Sequence, residues 1–202
     1  MFLWREFFSV IAMSMSVDYF AELEQERILS IDLDSLRESF QMKAKEVHPD
    51  GGGDESDFDS LNHAHSILSD PFRRIEHLYE LLFASTIDSS GSLSSMAMDL
   101  FGTLEPIVSR ADAIIKKKEL ATTGIQEALI ARESIEVQKN LIEANGIIRS
   151  RIQEIVDSFG AIDASIEMDK DSGRKRMQIS ARELAFLGKW EHEVMMRMRS
   201  LI

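Results

Sequence analysis

The sequence predicts an all-α protein with two helical domains. Its 202 residues exceed what one minimal domain needs and suit two small ones. It contains 10 glycines, 3 prolines and only 7% aromatic residues, a composition that favours helices over strands. Through most of the chain, apolar residues recur at intervals of three and four, which is the spacing of one helix face. Hydrophobic residues make up 44% of the chain, enough to build a buried core.

Charge and cysteine content exclude several kinds of function. The chain has 23 Lys and Arg against 35 Asp and Glu, a net charge of −12. Nucleic acid is therefore not expected as the main partner, because phosphate binding needs clustered cations. The absence of cysteine excludes disulfides, thiolate metal sites and cysteine nucleophiles. No segment is suited to span a membrane, and without a targeting signal we expect a bacterial-type cytoplasmic protein.

Residues 1–16 differ in character from the rest of the chain. They are mostly apolar, and the uncharged run 7–16 is shorter than the roughly 18 to 20 residues of a bilayer span. A secretory signal would carry cations where Glu6 stands. We expect either an unstructured arm or an upstream start codon assigned in place of Met13 or Met15.

Residues 17–83 are expected to form one domain of closely joined helices. Asp32 or Asp34 can cap a helix that must stop at His48, because the residue before a proline, here Pro49, avoids the α region. The apolar face of this helix consists of Leu33, Leu36, Phe40, Ala44 and Val47.

Two further helices complete this first domain. Residues 50–59 hold three glycines and five acids, which predicts a loop followed by the acidic first turn of a helix. Asp70 and Pro71 are expected to begin the last helix, since proline is tolerated in a first turn. The helix that follows this loop and ends before Asp70 has its apolar face at Phe58, Leu61, Ala64, Ile67 and Leu68.

The remaining chain is expected to form a linker, residues 84–95, and a C-terminal domain, residues 96–202. Three antiparallel helices around one seam are the simplest way to bury its apolar stripes. In the first of these helices, Pro106 should either produce a kink or move the helix start to about Glu105.

The later boundaries of this domain are also inferred from spacing. Gly160 should close the second helix, and a polar turn over residues 169–173 should precede the third. The second helix has its apolar face at Val137, Leu141, Ala144, Ile148, Ile152, Ile155 and Phe159. The apolar residues of the third include Ile179, Leu184, Phe186, Leu187, Trp190 and Val194.

The tripeptide His48-Pro49-Asp50 is the motif with the most specific chemistry. Proline fixes the loop backbone, aspartate offers two carboxylate oxygens, and the histidine ring carries one donor and one acceptor. Together they form a rigid hydrogen-bonding recognition element. We expect no catalytic dyad, because no partnered nucleophile and no pocket are implied. A helix-terminating turn with an incidental histidine is the alternative interpretation.

Further motifs follow this tripeptide along the chain. Leu61-Asn62-His63-Ala64 stands on the next helix, and Asp70-Pro71-Phe72-Arg73 stands at the junction after it. With these motifs, residues 19–82 resemble a J-domain, the module by which DnaJ-like co-chaperones stimulate an ATP-hydrolysing chaperone of the DnaK type. The resemblance implies a chaperone-binding set of His48, Pro49, Asp50, Arg37, Lys43 and Lys45.

The helix before the tripeptide carries mixed charges. In J-domains it presents a basic face, but here Glu38 and Glu46 accompany the cations, and Lys43 stands where the family usually has a core leucine. The resemblance therefore implies a weakened electrostatic contribution to docking. A plain solvated helix face is the alternative interpretation of these charges.

A second resemblance concerns the end of the chain. Residues 181–190, Ala-Arg-Glu-Leu-Ala-Phe-Leu-Gly-Lys-Trp, are similar to the last-helix signature of HscB, the J-protein family of iron–sulfur cluster assembly. HscB proteins hold the cluster scaffold IscU with their C-terminal domain and deliver it to a DnaK-type chaperone, HscA where one exists. The resemblance implies an IscU-like scaffold as partner, contacted by Met98, Phe101, Glu105 and Phe186.

The scaffold-contact residues have an alternative role. Apolar side chains at helical spacing commonly pack in a core, and this would account for Met98, Phe101 and Phe186. Gly102 and Pro106 also depart from the Leu- and Glu-rich run of the family, which leaves another alignment of this helix open.

No cofactor, metal site or enzymatic activity is expected. The acids of residues 50–59 lack the alternating spacing, central glycine and terminal glutamate of an EF-hand loop. His63 and His65 diverge by about 200° on a helix and cannot share a metal. Neither a phosphate-binding loop nor a nucleophile elbow occurs. The alternative to an HscB-type role is a J-domain protein whose helical domain recruits another client or oligomerises, for example as a homodimer.

Overall fold

The structure, a computed structural model, describes residues 17–47, 54–88, 91 and 94–201. It divides into two compact units, Met1–Ile87 and Asp88–Ile202. Every regular element in the described ranges is an α-helix, which confirms the all-α prediction. None of these described helices is long and apolar enough to cross a membrane.

The helices described in the first unit pack around one apolar core. They are α1 (Tyr19–Glu22), α2 (Leu33–Val47), α3 (Glu55–Ser69) and α4 (Pro71–Phe83). The central element is α3, because it contacts each of the other three. The core consists of Phe20, Leu23, Leu29, Leu36, Leu61, Ala64, Leu68, Ile75, Leu78 and Tyr79.

Local side-chain chemistry defines the helix starts of this unit. The carboxylates of Asp18, Asp54 and Asp70 accept backbone N–H groups in the first turns of α1, α3 and α4. Pro71 lies in the first turn of α4, as predicted. Asp32 precedes α2, and its Oδ1 accepts the Asp34 N–H at 3.0 Å. The predicted end of α2, His48, lies outside the described residues.

The second unit contains three long helices and one short one in its described part. They are α5 (Ser95–Leu120), α6 (Gly124–Asp157), α7 (Phe159–Met168) and α8 (Lys170–Leu201). The three long helices contact one another, and α7 packs mainly against α8. Their core includes Leu104, Val108, Ala111, Val137, Leu141, Ala144, Ile148, Ala181, Leu184 and Leu187.

The helix that contains Pro106 runs without interruption from Ser95, so a start near Glu105 is wrong. Proline removes one backbone donor, and its ring crowds the carbonyl four residues earlier, which here belongs to Gly102. Both residues are exposed, so water can reach the carbonyl that has lost its helical partner.

The predicted close of the second helix at Gly160 is also wrong. α6 ends at Asp157, and Gly160 lies inside α7. The chain continues as helix because Phe159 and Ile162, three residues apart, both bury their side chains.

The polar turn before the last helix is shorter than predicted. It is confined to Asp169, since α8 begins at Lys170 and already includes Gly173. A Cβ at position 173 would lie 2.5 Å from the Ile166 side chain and 2.7 Å from its Cα. This glycine therefore serves the close approach of α7 and α8, and not a turn.

Candidate functional site

The tripeptide His48-Pro49-Asp50 lies outside the described residues, in the sequence between α2 and α3. The chaperone-binding cations predicted beside it are all on α2, which is described to Val47. Their exposure and ion pairs determine which positive charges lie on the surface of α2.

Arg37 and Lys45 are the exposed cations of α2. The Arg37 side chain is 62% exposed, although its Nη1 lies 3.0 Å from the Asp34 carboxylate one turn away. Lys45 is exposed and forms no ion pair with the residues that the structure describes. At about 100° per residue, these two cations lie roughly 80° apart around the helix, two turns from each other along it. They share one side of α2.

Lys43 does not share this side. Its side chain is 29% exposed, and its Nζ lies 3.0 Å from Glu24 Oε1. On the helix it is displaced by about 160° from Lys45. A lysine stands here where J-domains usually have a core leucine, and Glu24 supplies the counter-charge that this partly buried position requires.

Glu24 itself has an unusual backbone. Its φ is 55°, in the left-handed region that glycine favours. Its N–H donates to the Ala21 carbonyl, while the Gln25 N–H donates to the Phe20 carbonyl. These bonds form a Schellman motif that ends α1. The ion pair to Lys43 thus joins this helix end to α2.

The histidines of the first unit contribute to packing. The rings of His65 on α3 and Phe40 on α2 are 4.3 Å apart. Burial, aided by the nearby Arg37 charge, lowers the pKa of His65 and favours the neutral ring. No cluster of three metal-ligating residues occurs in the described ranges.

His77 is a residue that the sequence analysis missed. It is 6% exposed, its Nε2 accepts the Tyr19 N–H at 3.2 Å, and its ring stacks on Phe20. Burial lowers its pKa, against a smaller opposing effect of the Asp18 charge. A histidine between Ile75 and Leu78 was the available signal. Through these contacts His77 packs α1 against α4.

In the second unit, the residues predicted to contact a scaffold lie on α5 and α8. Met98 is 56% exposed and Phe101 is 42% exposed. The Phe101 ring meets Trp190 edge to face at 5.6 Å, and Trp190 lies 6.3 Å from Phe186. Glu105 is exposed one turn after Phe101. We call Met98, Phe101, Glu105, Phe186 and Trp190 the aromatic surface.

This arrangement bears on the core-packing alternative. Met98 and Phe101 are not core residues, because both side chains are exposed. The core position of this part of α5 is occupied by Leu104, which is fully buried. Phe186 is half-buried. Trp190 was assigned only to the apolar face of the last helix, although its position four residues after Phe186 indicated a shared side.

A different side of α5 borders an apolar cleft of about 290 Å³ shared with α6 and α8. At its edge, Arg151 pairs with Glu154 at 2.7 Å and with Glu183 at 3.1 Å. Burial alone would lower the pKa of Arg151, but these two carboxylates outweigh that effect and raise it. Glu183 is only 7% exposed, so the arginine neutralises a buried charge that joins α6 to α8.

Comparison with known proteins adds to this geometry. No family model matches the chain. It is 30% identical over 93 residues to two proteins called Chaperone protein DnaJ, from Tropheryma whipplei strains Twist and TW08/27. The matched segment covers 44% of this chain but only 26% of each DnaJ protein.

Solved structures match over most of the chain. Chaperone HscB from Vibrio cholerae superposes with a TM-score of 0.58 at 17% identity, covering 92% of this chain and 100% of that one. The chain has the HscB fold. Human co-chaperone protein HscB gives a TM-score of 0.54 at 16% identity, covering 91% of this chain and 83% of that one. The HscB resemblance inferred from sequence motifs is thereby confirmed for the fold.

Proposed function

We propose that this chain is a J-domain co-chaperone of the HscB type. Its first unit docks a DnaK- or HscA-type chaperone and stimulates ATP hydrolysis there, and its second unit holds an IscU-like cluster scaffold. The HscB fold, which spans both units, carries this proposal. The chain performs no catalysis itself and uses no cofactor, so the cluster and its cysteine ligands belong to the partner.

The surface of α2 supports the chaperone half of the proposal. Arg37 and Lys45 share one side of the helix that leads into His48-Pro49-Asp50. Because Asp34 pairs with Arg37, and Lys43 is turned away and paired with Glu24, the net positive charge of this side is small. Docking should therefore depend more on the tripeptide than on long-range attraction.

The aromatic surface supports the scaffold half. Large apolar side chains that cluster on a protein surface commonly mark a partner site. Phe101 and Trp190 provide rigid rings of the kind that dominate binding energy at interfaces. Glu105 adds a carboxylate beside them, which gives the patch a polar edge.

Single-turnover ATP hydrolysis by a DnaK-type chaperone tests the first half. The full chain should accelerate hydrolysis, and His48→Gln should not. His192→Gln, which changes an exposed histidine on α8, is the matched control and should act like the wild type. Equal stimulation by wild type and His48→Gln would remove the J-domain assignment.

Calorimetry with a purified IscU-like scaffold tests the second half. Binding by the full chain is expected, with weaker binding after substitution in the aromatic surface. Absence of heat at about 100 μM, a concentration that detects even weak complexes, would favour a J-domain protein that recruits another client.

A further inference from the structure

Met98 is the sulfur-containing residue of the aromatic surface. Its side chain is 56% exposed on α5, and Phe101, three residues later, is exposed as well. At this spacing the two side chains lie about 60° apart around the helix and share one side of it. A partner that covers Phe101 therefore reaches Met98 too. The unbranched, polarisable thioether suits such an apolar contact.

Methionine carries all the sulfur of this chain. The sequence contains 11 methionines and no cysteine, so an oxidant meets thioethers and no thiol. Exposure then decides which methionines react. Met98 and Met168 are open to solvent, with Met168 at 88%, whereas Met177 is fully buried in the core. Of these three, Met98 alone belongs to the aromatic surface.

We propose that Met98 is a redox-sensitive modification site that controls scaffold binding, an inference that rests on the proposed function. A hydroperoxide such as hydrogen peroxide transfers one oxygen atom to the Met98 sulfur. The O–O bond breaks and an S–O bond forms. The thioether is oxidised by two electrons, and hydrogen peroxide is reduced to water. The product is methionine sulfoxide, a polar and chiral side chain.

The sulfoxide weakens the scaffold contact through its oxygen atom. This oxygen accepts hydrogen bonds from water and loses them when a partner covers it, which is unfavourable unless a donor replaces the water. Glu105, seven residues after Met98 and about 20° from it around the helix, is exposed there. Its carboxylate is an acceptor and cannot donate to the sulfoxide. The unoxidised thioether has no comparable cost of burial.

Met96 provides a matched comparison on the same helix. It is 54% exposed, nearly the same as Met98, and should be oxidised as readily. Two residues separate the pair, which places their side chains about 160° apart around α5. Met96 lines the cleft shared with α6 and α8. None of the residues of the aromatic surface, all of which lie in the described range 94–201, lines that cleft.

Calorimetry with a purified IscU-like scaffold, before and after peroxide treatment of the full chain, tests the proposal. Peroxide is removed before the scaffold is added, and peptide mass spectrometry checks that Met98 is oxidised while Met177 is intact. The wild type should bind at least about tenfold more weakly after treatment. Each variant is compared with itself. Met98→Leu should show the same affinity before and after peroxide, and Met96→Leu should lose affinity as the wild type does.

Two further measurements separate a switch at Met98 from general damage. Methionine sulfoxide reductases of the A and B types, which reduce the two sulfoxide epimers, should restore the affinity of the oxidised wild type. Met98→Gln, which places a polar side chain at this position, should weaken binding without peroxide.

The outcomes distinguish this inference from the proposed function. Equal losses in wild type and Met98→Leu, or full affinity in a chain oxidised at Met98, would overturn the role of Met98 and leave scaffold binding standing. Failure of the reductases to restore binding, or wild-type affinity in Met98→Gln, would overturn it as well. An untreated chain that does not bind the scaffold would remove the proposed function, and this inference with it.

Discussion

Phe101 on α5 and Trp190 on α8 meet edge to face, with ring centroids 5.6 Å apart. They are distant in sequence, and the contact exists only because the two helices pack side by side. It brings Phe101 together with Trp190 and, through Trp190, with Phe186 in one partly exposed aromatic cluster.

The exposure of Phe101 predicts a separation between binding and stability. Phe101→Ala should lower the free energy of unfolding by only about 1–2 kcal/mol, since the ring is already 42% exposed. It should weaken scaffold binding at least about tenfold. Leu104→Ala, in the core of the same helix, should cost about 2–5 kcal/mol. Urea denaturation and calorimetry measure the two effects, and a Phe101→Ala protein that simply unfolds would show a packing role.

Arg151 and Glu183 should show strong coupling. Arg151→Leu leaves a buried carboxylate without its cation, and we expect a loss of about 2–3 kcal/mol in unfolding free energy. Arg151→Leu combined with Glu183→Leu should recover most of that loss, because no buried charge is left. A double-mutant cycle by urea denaturation measures the coupling, and additive losses would contradict it.

The stability of the first unit should depend on pH through His77. Its pKa is lowered in the folded state by burial, so its contribution is complete above the ordinary value of 6.5. As pH falls below 6.5, the unfolded chain takes up the proton first and stability declines, and His65 acts in the same direction. His77→Phe should flatten this decline between about pH 7.5 and 5, which is roughly the range in which histidine titrates. Urea denaturation at each pH measures it. A slope unchanged from wild type would show that His77 is not responsible.

Pro106 should limit the stability of α5. Pro106→Ala restores a backbone donor opposite the Gly102 carbonyl, and we expect a gain of about 1–3 kcal/mol. Pro71→Ala is the control: that proline lies in a first turn, where its missing N–H costs nothing, so no gain is expected. Thermal denaturation of both variants compares them, and equal effects would mean that helix position does not matter.

Sequence spacing was sufficient to predict most of the helices of this protein, but not the short α7. Periods of three and four placed the long helices, and the chemistry of Asp70 and Pro71 placed the start of α4, because capping acts between neighbours in the chain. The motifs also led to the HscB fold. Spacing failed at Gly160 and Gly173, where the chain stays helical because α7 packs against α8.

Only the tertiary structure decided which apolar residues are buried and which form a surface. A helical period shows that residues share a side, but a helix between two neighbours has more than one apolar side. Leu104 turned inward and Phe101 outward, although they stand three residues apart. Trp190 joined the aromatic surface, Glu24 reached Lys43, and His77 met the Tyr19 N–H through contacts between residues far apart in sequence. Such contacts depend on how helices pack, and local pattern does not encode them.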